Sequence, residues 1–335
     1  MTIELSTGID RPPRREDYCT KQTTVAPAEP GTPCDLWLTF LDRITNKDDE
    51  LIGFLQGWLG YCLSGYVHEH VMVFLYGTGA NGKGVFTSTV AGIFGDYCVT
   101  VPVEMLIEAR FDRHPTEIAR LRGVRLALAQ ETQQGRRWDE AKIKNLTGAD
   151  RLTARFMRGD FFDFNPSHKL MVSGNHKPSL RHVDEAMRRR LLLVPCVVTI
   201  PEPERDRHLA EKLKPEWPAI LRWMVEGHLQ WRERGLCIPE SVRRATDEYF
   251  ADQDSLEEWL AECTNPLDPL AFTTTGRLFA SWQKWCEARH QFCGSDKEFS
   301  AALKAKGYEH DRRKKGRGFK GLSLKSDTEQ QFDLR

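Results

Sequence analysis

The sequence carries no excess of either charge: 48 Lys and Arg face 48 Asp and Glu. A nucleic-acid footprint spread over the whole surface is therefore excluded, and any such footprint has to be a local patch. No apolar run is long enough to span a bilayer, and the opening stretch MTIELSTGIDRPPRRED contains no apolar segment of signal-peptide type. The nine cysteines are odd in number and scattered, and none forms a CxxC pair. That pattern speaks against a disulfide framework or a structural zinc site and for a reducing compartment. Internal repeats and long low-complexity tracts are also missing. The expectation is a soluble, cytoplasmic protein with no membrane partner.

What is present is enough apolar text for two or three units: 335 residues, 40% of them hydrophobic. Residues 1–33 are polar and broken by Pro12, Pro13, Pro27, Pro30 and Pro33, which reads as an extended arm or linker. In 34–68, Trp37, Leu41, Ile44, Leu51, Phe54, Leu55, Trp58 and Leu59 recur at helical spacing, which predicts an N-terminal helical domain. From 69 to 201, short apolar runs (Val71–Tyr76, Val124–Ala129, Leu170–Ser173, Leu191–Val198) alternate with helical text, as in an α/β layer with a parallel sheet. Residues 202–265 are helical again. A Pro- and Asp-containing break then opens a last segment, 266–335, in which 13 Lys/Arg between Gly276 and Lys325 outnumber 5 Asp/Glu.

The strongest local signal is Gly77-Thr78-Gly79-Ala80-Asn81-Gly82-Lys83-Gly84-Val85, between a predicted strand and a predicted helix. Glycines let backbone N–H groups curl around phosphate oxygens, Lys83 neutralises the β/γ charge, and the helix start faces the anion. An ordinary glycine-rich turn is the plainer alternative, but strand, loop, lysine and helix come in the order that ATP binding needs. Gly84 stands where a serine or threonine normally ligates Mg²⁺. The metal would then rest on water, phosphate oxygens and another carboxylate, with Thr87 or Ser88 as weak substitutes.

That carboxylate is Glu131, just beyond the next apolar run, where an acid can order Mg²⁺ and polarise water; a solvated strand end is its bland reading. Asn175, at the end of the third run, can hydrogen-bond a γ-phosphate or act as a turn residue. Arg188, Arg189 and Arg190 precede the fourth run. They are a solvated charge run or contain an arginine finger acting on a neighbouring subunit's nucleotide, with Arg189 slightly ahead of the other two.

Taken in order, GTGANGKG, the run ending in QET, Lys144-Asn145-Leu146-Thr147-Gly148-Ala149-Asp150, SGNHKP and DEAMRRR resemble the superfamily 3 helicases. Within them the chain is similar to the helicase half of phage and plasmid primase–helicases, the group that includes the poxvirus primase–helicase. The resemblance covers roughly residues 15 to 325. It implies an AAA+-like P-loop NTPase core, a C-terminal winged-helix-like domain, a ring that is usually hexameric, ATP with Mg²⁺, and 3′→5′ movement along single-stranded DNA. By position, Lys83 is the phosphate-loop lysine, Glu131 the acid of the second motif, Asn175 the sensor, and Lys144, Thr147 and Asp150 belong to the extra motif of this superfamily. Many relatives have two adjacent acids where Glu131 stands alone.

Residues 152–164 read as two short strands around an Arg158-Gly159-Asp160 tip. The resemblance implies a hairpin projecting into the ring channel, which makes Arg155 and Arg158, with Lys144 nearby, candidates for DNA contact. In the tail, Arg312, Arg313, Lys314, Lys315 and Arg317 form a basic ribbon suited to phosphates. The leading expectation is an ATP-dependent helicase acting on single-stranded and forked DNA during replication of a mobile element. A nucleotide-switched, DNA-binding replication initiator with little hydrolysis is the alternative, and phosphoryl transfer to a small acceptor ranks third. Only about 33 residues precede the helical domain, too few for a primase fold. A separate primase or initiator would then be a further partner.

Overall fold

The polar N-terminal stretch is held down by a buried arginine. The Arg222 side chain, 5% exposed, donates to the carbonyls of Ala28 (2.6 Å) and Gly8 (2.8 Å) and faces Asp10 at 3.5 Å. Between these anchors β1 (Thr2–Glu4) and β2 (Ile9–Arg11) pair antiparallel, and Ile3, Leu5, Val25 and Ala28 pack on the core. The segment expected as an extended arm or linker is packed down as a strap. A charge in the interior must find acceptors, and these carbonyls supply them. The computed structural model describes residues 1–109, 116–130, 136–180, 184–253, 255–265, 271–289, 293–313 and 316–325. It forms two compact units, Met1–Phe250 and Ala251–Arg335.

In the first unit, α1 (Asp35–Thr45) buries Trp37, Phe40, Leu41 and Ile44, the spacing of one helical face, and ends at Asn46 in the left-handed region. Asp48 caps α2 (Asp49–Leu63), its carboxylate accepting from Leu51 N at 2.9 Å. These helices do not stand apart as a domain. Trp37, Phe54 and Trp58 share one hydrophobic cluster with Val73, Leu75, Phe86 and Met224.

The chain then runs through β3 (Met72–Tyr76), α3 (Lys83–Phe94), β4 (Cys98–Pro102), α4 (Thr116–Ala119), β5 (Leu126–Gln130), α5 (Glu140–Leu146), the hairpin β6 (Leu152–Ala154) and β7 (Phe162–Phe164), β8 (Lys169–Gly174), α6 (Glu185–Arg188) and β9 (Leu191–Pro195). Five of these strands form a parallel sheet in the order β4-β5-β8-β3-β9. Along β3, Val73 and Leu75 enter one cluster while Met72 and Phe74 enter the other, so both faces of the sheet are covered. That double burial is why these strands are legible as continuous apolar runs. β4 escaped the sequence reading because it is an edge strand in which only Val101 is buried. The fourth run stops at Pro195 rather than at Val198.

Next come α7 (Leu209–Leu213), α8 (Trp217–Arg234) and α9 (Glu240–Asp252). α2 and α8 cross through two glycines. A Cβ on Gly60 would meet His228 N at 2.1 Å, and one on Gly227 would meet the Gln56 carbonyl oxygen at 2.3 Å. Backbone cannot yield as a side-chain tip can. Gly60→Ala is therefore expected to cost about 3 kcal/mol through overpacking, read as a lower urea midpoint at unchanged slope; an unchanged midpoint would show that the crossing has slack.

In the second unit α10 (Ser255–Cys263) is followed by β10 (Thr264–Asn265), β11 (Phe272–Thr274), α11 (Thr275–Ala288), α12 (Asp296–Ala305), β12 (His310–Arg313), β13 (Gly316–Lys320) and β14 (Ser323–Leu324). Strands β11, β13 and β12 make a three-stranded antiparallel sheet. The unit starts ahead of the break at 266 because Trp259 of α10 packs edge-on against Trp282 and Phe299, in one cluster with Leu278, Trp285 and Phe319. Among the described residues, no helix is long and apolar enough to cross a membrane.

Candidate nucleotide site

The carboxyl ends of β3, β5 and β8 lie side by side, Tyr76 opposite Gly174 and Gln130 opposite Ser173, so the residues leaving these strands converge at one edge of the sheet. Such an edge is where open parallel sheets bind ligands. The loop after β3 needs its glycines. Gly82, the residue before α3, sits at φ 82°, and a Cβ there would strike Ile44 at 2.4 Å; one on Gly77 would strike the Cys196 carbonyl oxygen at 2.1 Å. Ala80 also takes a left-handed φ of 61°, a small local strain.

The strand end after β9 latches the loop from one side. Cys196 N donates to the Tyr76 carbonyl at 2.8 Å, Asn81 Nδ2 donates to the Cys196 carbonyl at 2.9 Å, and Ile200 N donates to the Ala80 carbonyl at 2.8 Å. Lys83 then places its ammonium among neutral oxygens: Gly77 O at 2.7 Å, Asn81 Oδ1 at 3.1 Å and Asn175 Oδ1 at 3.2 Å. Burial pushes the Lys83 pKa down, with only Cys196 opposing. A polyphosphate would supply the missing counter-charge. Lys83 and Asn175, 92 residues apart in sequence, are thus in direct contact.

The structure is less complete for the metal. Glu131 lies outside the described residues. Thr87 donates to the carbonyls of Lys83 (3.0 Å) and Gly84 (3.3 Å) and accepts from Gln130 Nε2 at 3.3 Å, and Ser88 is turned to Val85 O at 3.1 Å. Both hydroxyls weighed as substitutes for a hydroxyl at Gly84 are therefore used within the helix. The donor set suits a nucleotide's phosphates, whereas among the described residues no cluster of His, Cys, Asp and Glu could hold a metal ion.

The three arginines separate. The Arg188 guanidinium lies 5.1 Å from the Phe250 ring centroid, and Arg190 donates to Ala186 O at 2.9 Å while its Nε is buried without a partner among the described residues. Burial, then Arg189, lowers the Arg190 pKa, and Asp184 opposes. Arg189 is exposed, and among the described residues its side chain has no ion-pair partner. Lys144, a candidate for DNA contact, meets the Asp184 carboxylate at 2.5 Å.

At the hairpin, Arg158 takes a left-handed φ of 60° and is exposed at the tip. Arg155 is less free: its guanidinium lies 4.8 Å from the Phe161 ring centroid and its Nε is buried. Much of the tip is apolar, with Phe156, Met157 and Phe161 each at least half exposed. Sequence reasoning passed over these, although two aromatics and a methionine around a turn are an unusual surface. It also passed over Tyr249, whose hydroxyl holds the Pro178 carbonyl at 2.5 Å, and Lys177, 4.1 Å from the Tyr76 ring centroid. In the second unit Arg312 and Arg317 are exposed and stand directly opposite each other. Arg313 lies against Phe272 and pairs with Asp311 at 3.4 Å, while Lys314 and Lys315 fall outside the described residues.

Residues 1–46 match the family described as "D5 N terminal like", and residues 75–190 match "Family of unknown function (DUF5906)". The chain is 25% identical over 243 residues to "Putative helicase L207/L206" of Acanthamoeba polyphaga mimivirus, and 28% identical over 214 residues to "Putative helicase 184R" of Invertebrate iridescent virus 6. The resemblance to D5-like primase–helicases holds. These matches take in 67% and 59% of this chain but only 25% and 21% of the viral proteins. In fold, the chain is similar to the apo structure of the NrS-1 C-terminal region, with a TM-score of 0.55 at 11% identity over 88% of this chain and 76% of that one. The D5-like match at residues 1–46 spans the strap and α1, so the N-terminal segment is part of the likeness. The parallel five-stranded sheet with its glycine loop gives a mixed α/β core, and the likeness is one of fold.

Proposed function

We propose that the chain is the ATP-hydrolysing motor of a DNA helicase, with an AAA+-like core that works in a ring, probed first as a hexamer, and travels 3′→5′ along single-stranded DNA. The observation that carries this reading is the 3.2 Å contact between Lys83 Nζ and Asn175 Oδ1. A γ-phosphate bound by the lysine would lie within reach of the amide, as nucleotide-state sensing requires. ATP would bring the phosphates, and Mg²⁺, if held with the help of Glu131, would supply charge neutralisation to the leaving group. Arg189, exposed at the end of α6, is the candidate finger for a neighbouring site.

The DNA contacts follow from two surfaces. Arg158 with Phe156 and Phe161 offers a cation beside aromatic faces, the combination that holds single strands. Arg312 and Arg317, like charges placed opposite on β12 and β13, repel each other unless an anion lies between them. A backbone phosphate answers that need, and helices ahead of a basic ribbon support reading this unit as a winged-helix-like DNA-binding domain. Single-stranded and forked DNA of a replicating phage- or plasmid-like element is the proposed substrate. The test is ATP turnover with and without single-stranded DNA, then displacement from duplexes tailed at either end. Stimulation by DNA with displacement only from 3′ tails is expected; no stimulation by DNA sinks the motor reading.

Gly84 favours the second reading, a replication initiator that binds DNA, uses nucleotide as an assembly switch and turns over little. The two separate on one substitution. Nothing lies within 4 Å of a Cβ built on Gly84, so Gly84→Ser fits without strain. If turnover is limited by the missing hydroxyl, Gly84→Ser should raise it about tenfold and lower the Mg²⁺ concentration needed for half-maximal rate. A motor already saturated with metal should show neither change.

A further inference from the structure

We propose that Lys144 is a positioning residue that keeps the arginine block available for a neighbouring active site, and that it does so through Asp184; the inference rests on the motor reading above. Asp184 has two tasks at once. Its Oδ1 accepts from Met187 N at 2.7 Å, capping α6, and its Oδ2 takes the Lys144 ammonium at 2.5 Å. α6 is a single turn, Glu185–Arg188, so this cap sets the direction in which Arg188, Arg189 and Arg190 leave it.

Charge makes the lysine necessary. Asp184 acts electrostatically on Arg190, and without Lys144 its outer oxygen is free to draw a neighbouring guanidinium into a pair within the same subunit. A finger paired at home cannot reach across to another nucleotide. Lys144 occupies that oxygen, and among the described residues Arg189 has no ion-pair partner. Its position adds a second consequence. Lys144 lies in the last turn of α5, and the chain passes from α5 through Thr147–Arg151 straight into β6 of the hairpin. The ion pair thus joins the root of the proposed DNA-gripping hairpin to the root of the arginine block, which gives strand capture a direct path to hydrolysis. Side-chain exposures of 30% and 44% place the pair at the surface, where such a bond adds little to stability. Loss of the pair should therefore register in turnover and not in folding.

The experiment compares Lys144→Met, Lys144→Arg and Asp184→Asn, the last keeping a good helix cap while removing the charge. Lys144→Met and Asp184→Asn are expected to lower DNA-stimulated kcat about tenfold, about 1.4 kcal/mol of transition-state stabilisation, with KM for ATP, affinity for single-stranded DNA and Tm unchanged. The double variant should be no slower than either single one, as for two residues in one linkage, and Lys144→Arg should retain the native rate. A weaker DNA affinity with normal DNA-free turnover in Lys144→Met overturns the inference and makes Lys144 a phosphate contact. Native turnover in Lys144→Met also overturns it while leaving the motor reading intact. If the native chain itself hydrolyses no ATP, the motor reading falls and takes the inference with it.

Discussion

Arg189→Ala is expected to reduce DNA-stimulated ATP turnover by about 10³-fold or more, the scale on which a missing arginine finger acts, while nucleotide binding persists. The physical ground is the contrast within the block: Arg188 lies against Phe250, Arg190 bonds Ala186 O, and Arg189 is exposed with no ion pair among the described residues. With Asp184 held by Lys144, Arg189 is left facing solvent, where a neighbouring subunit could meet it. Because the finger is proposed to act across an interface, mixing is the sharper measurement. Arg189→Ala and Lys83→Ala chains, each inactive alone, should recover activity when combined, since one interface in the mixed ring then joins an intact loop to an intact finger. Arg188→Ala in the same assay should lose less. If Arg189→Ala turns over normally, the finger is elsewhere and the ring argument loses its best residue.

The second large effect is at Lys83. Lys83→Met removes the only cation among the described residues that bonds into the loop and is expected to lower turnover by about 10³-fold. It should leave the fold intact. The ammonium bonds three neutral oxygens in a buried setting that already lowers its pKa. Removing it relieves a desolvation cost, so stability without nucleotide should be unchanged or slightly higher. ATP should then no longer raise Tm, as it must for the native chain if it binds the folded state. Thermal melts with and without ATP read both halves of the prediction. A large loss of stability without nucleotide would mean that Lys83 serves the loop's architecture more than its ligand.

Sequence alone determined the parts whose signals are local. The buried strands announced themselves as apolar runs because both faces of the sheet are covered. The glycine loop before α3 was legible because Gly77 and Gly82 occupy positions where a Cβ would clash, and Asn175 follows a strand that ends on a glycine. The hairpin at 152–164 was visible as two short strands around the Arg158-Gly159-Asp160 turn. Tertiary structure decided everything that depends on a distant partner. The strap at residues 1–33 looked free because its anchor, Arg222, is some two hundred residues away. β4 was missed because an edge strand buries too little to leave a run. α10 joined the second unit because Trp259 finds Trp282 and Phe299, not because of any boundary in its own text. Lys144 was read as a DNA-contact candidate in the extra motif, and only the fold showed Asp184, 40 residues later, against it. Periodicity and backbone demands are written residue by residue, but which charge meets which is fixed only when the chain has folded, since a lysine carries no mark of the carboxylate it will face.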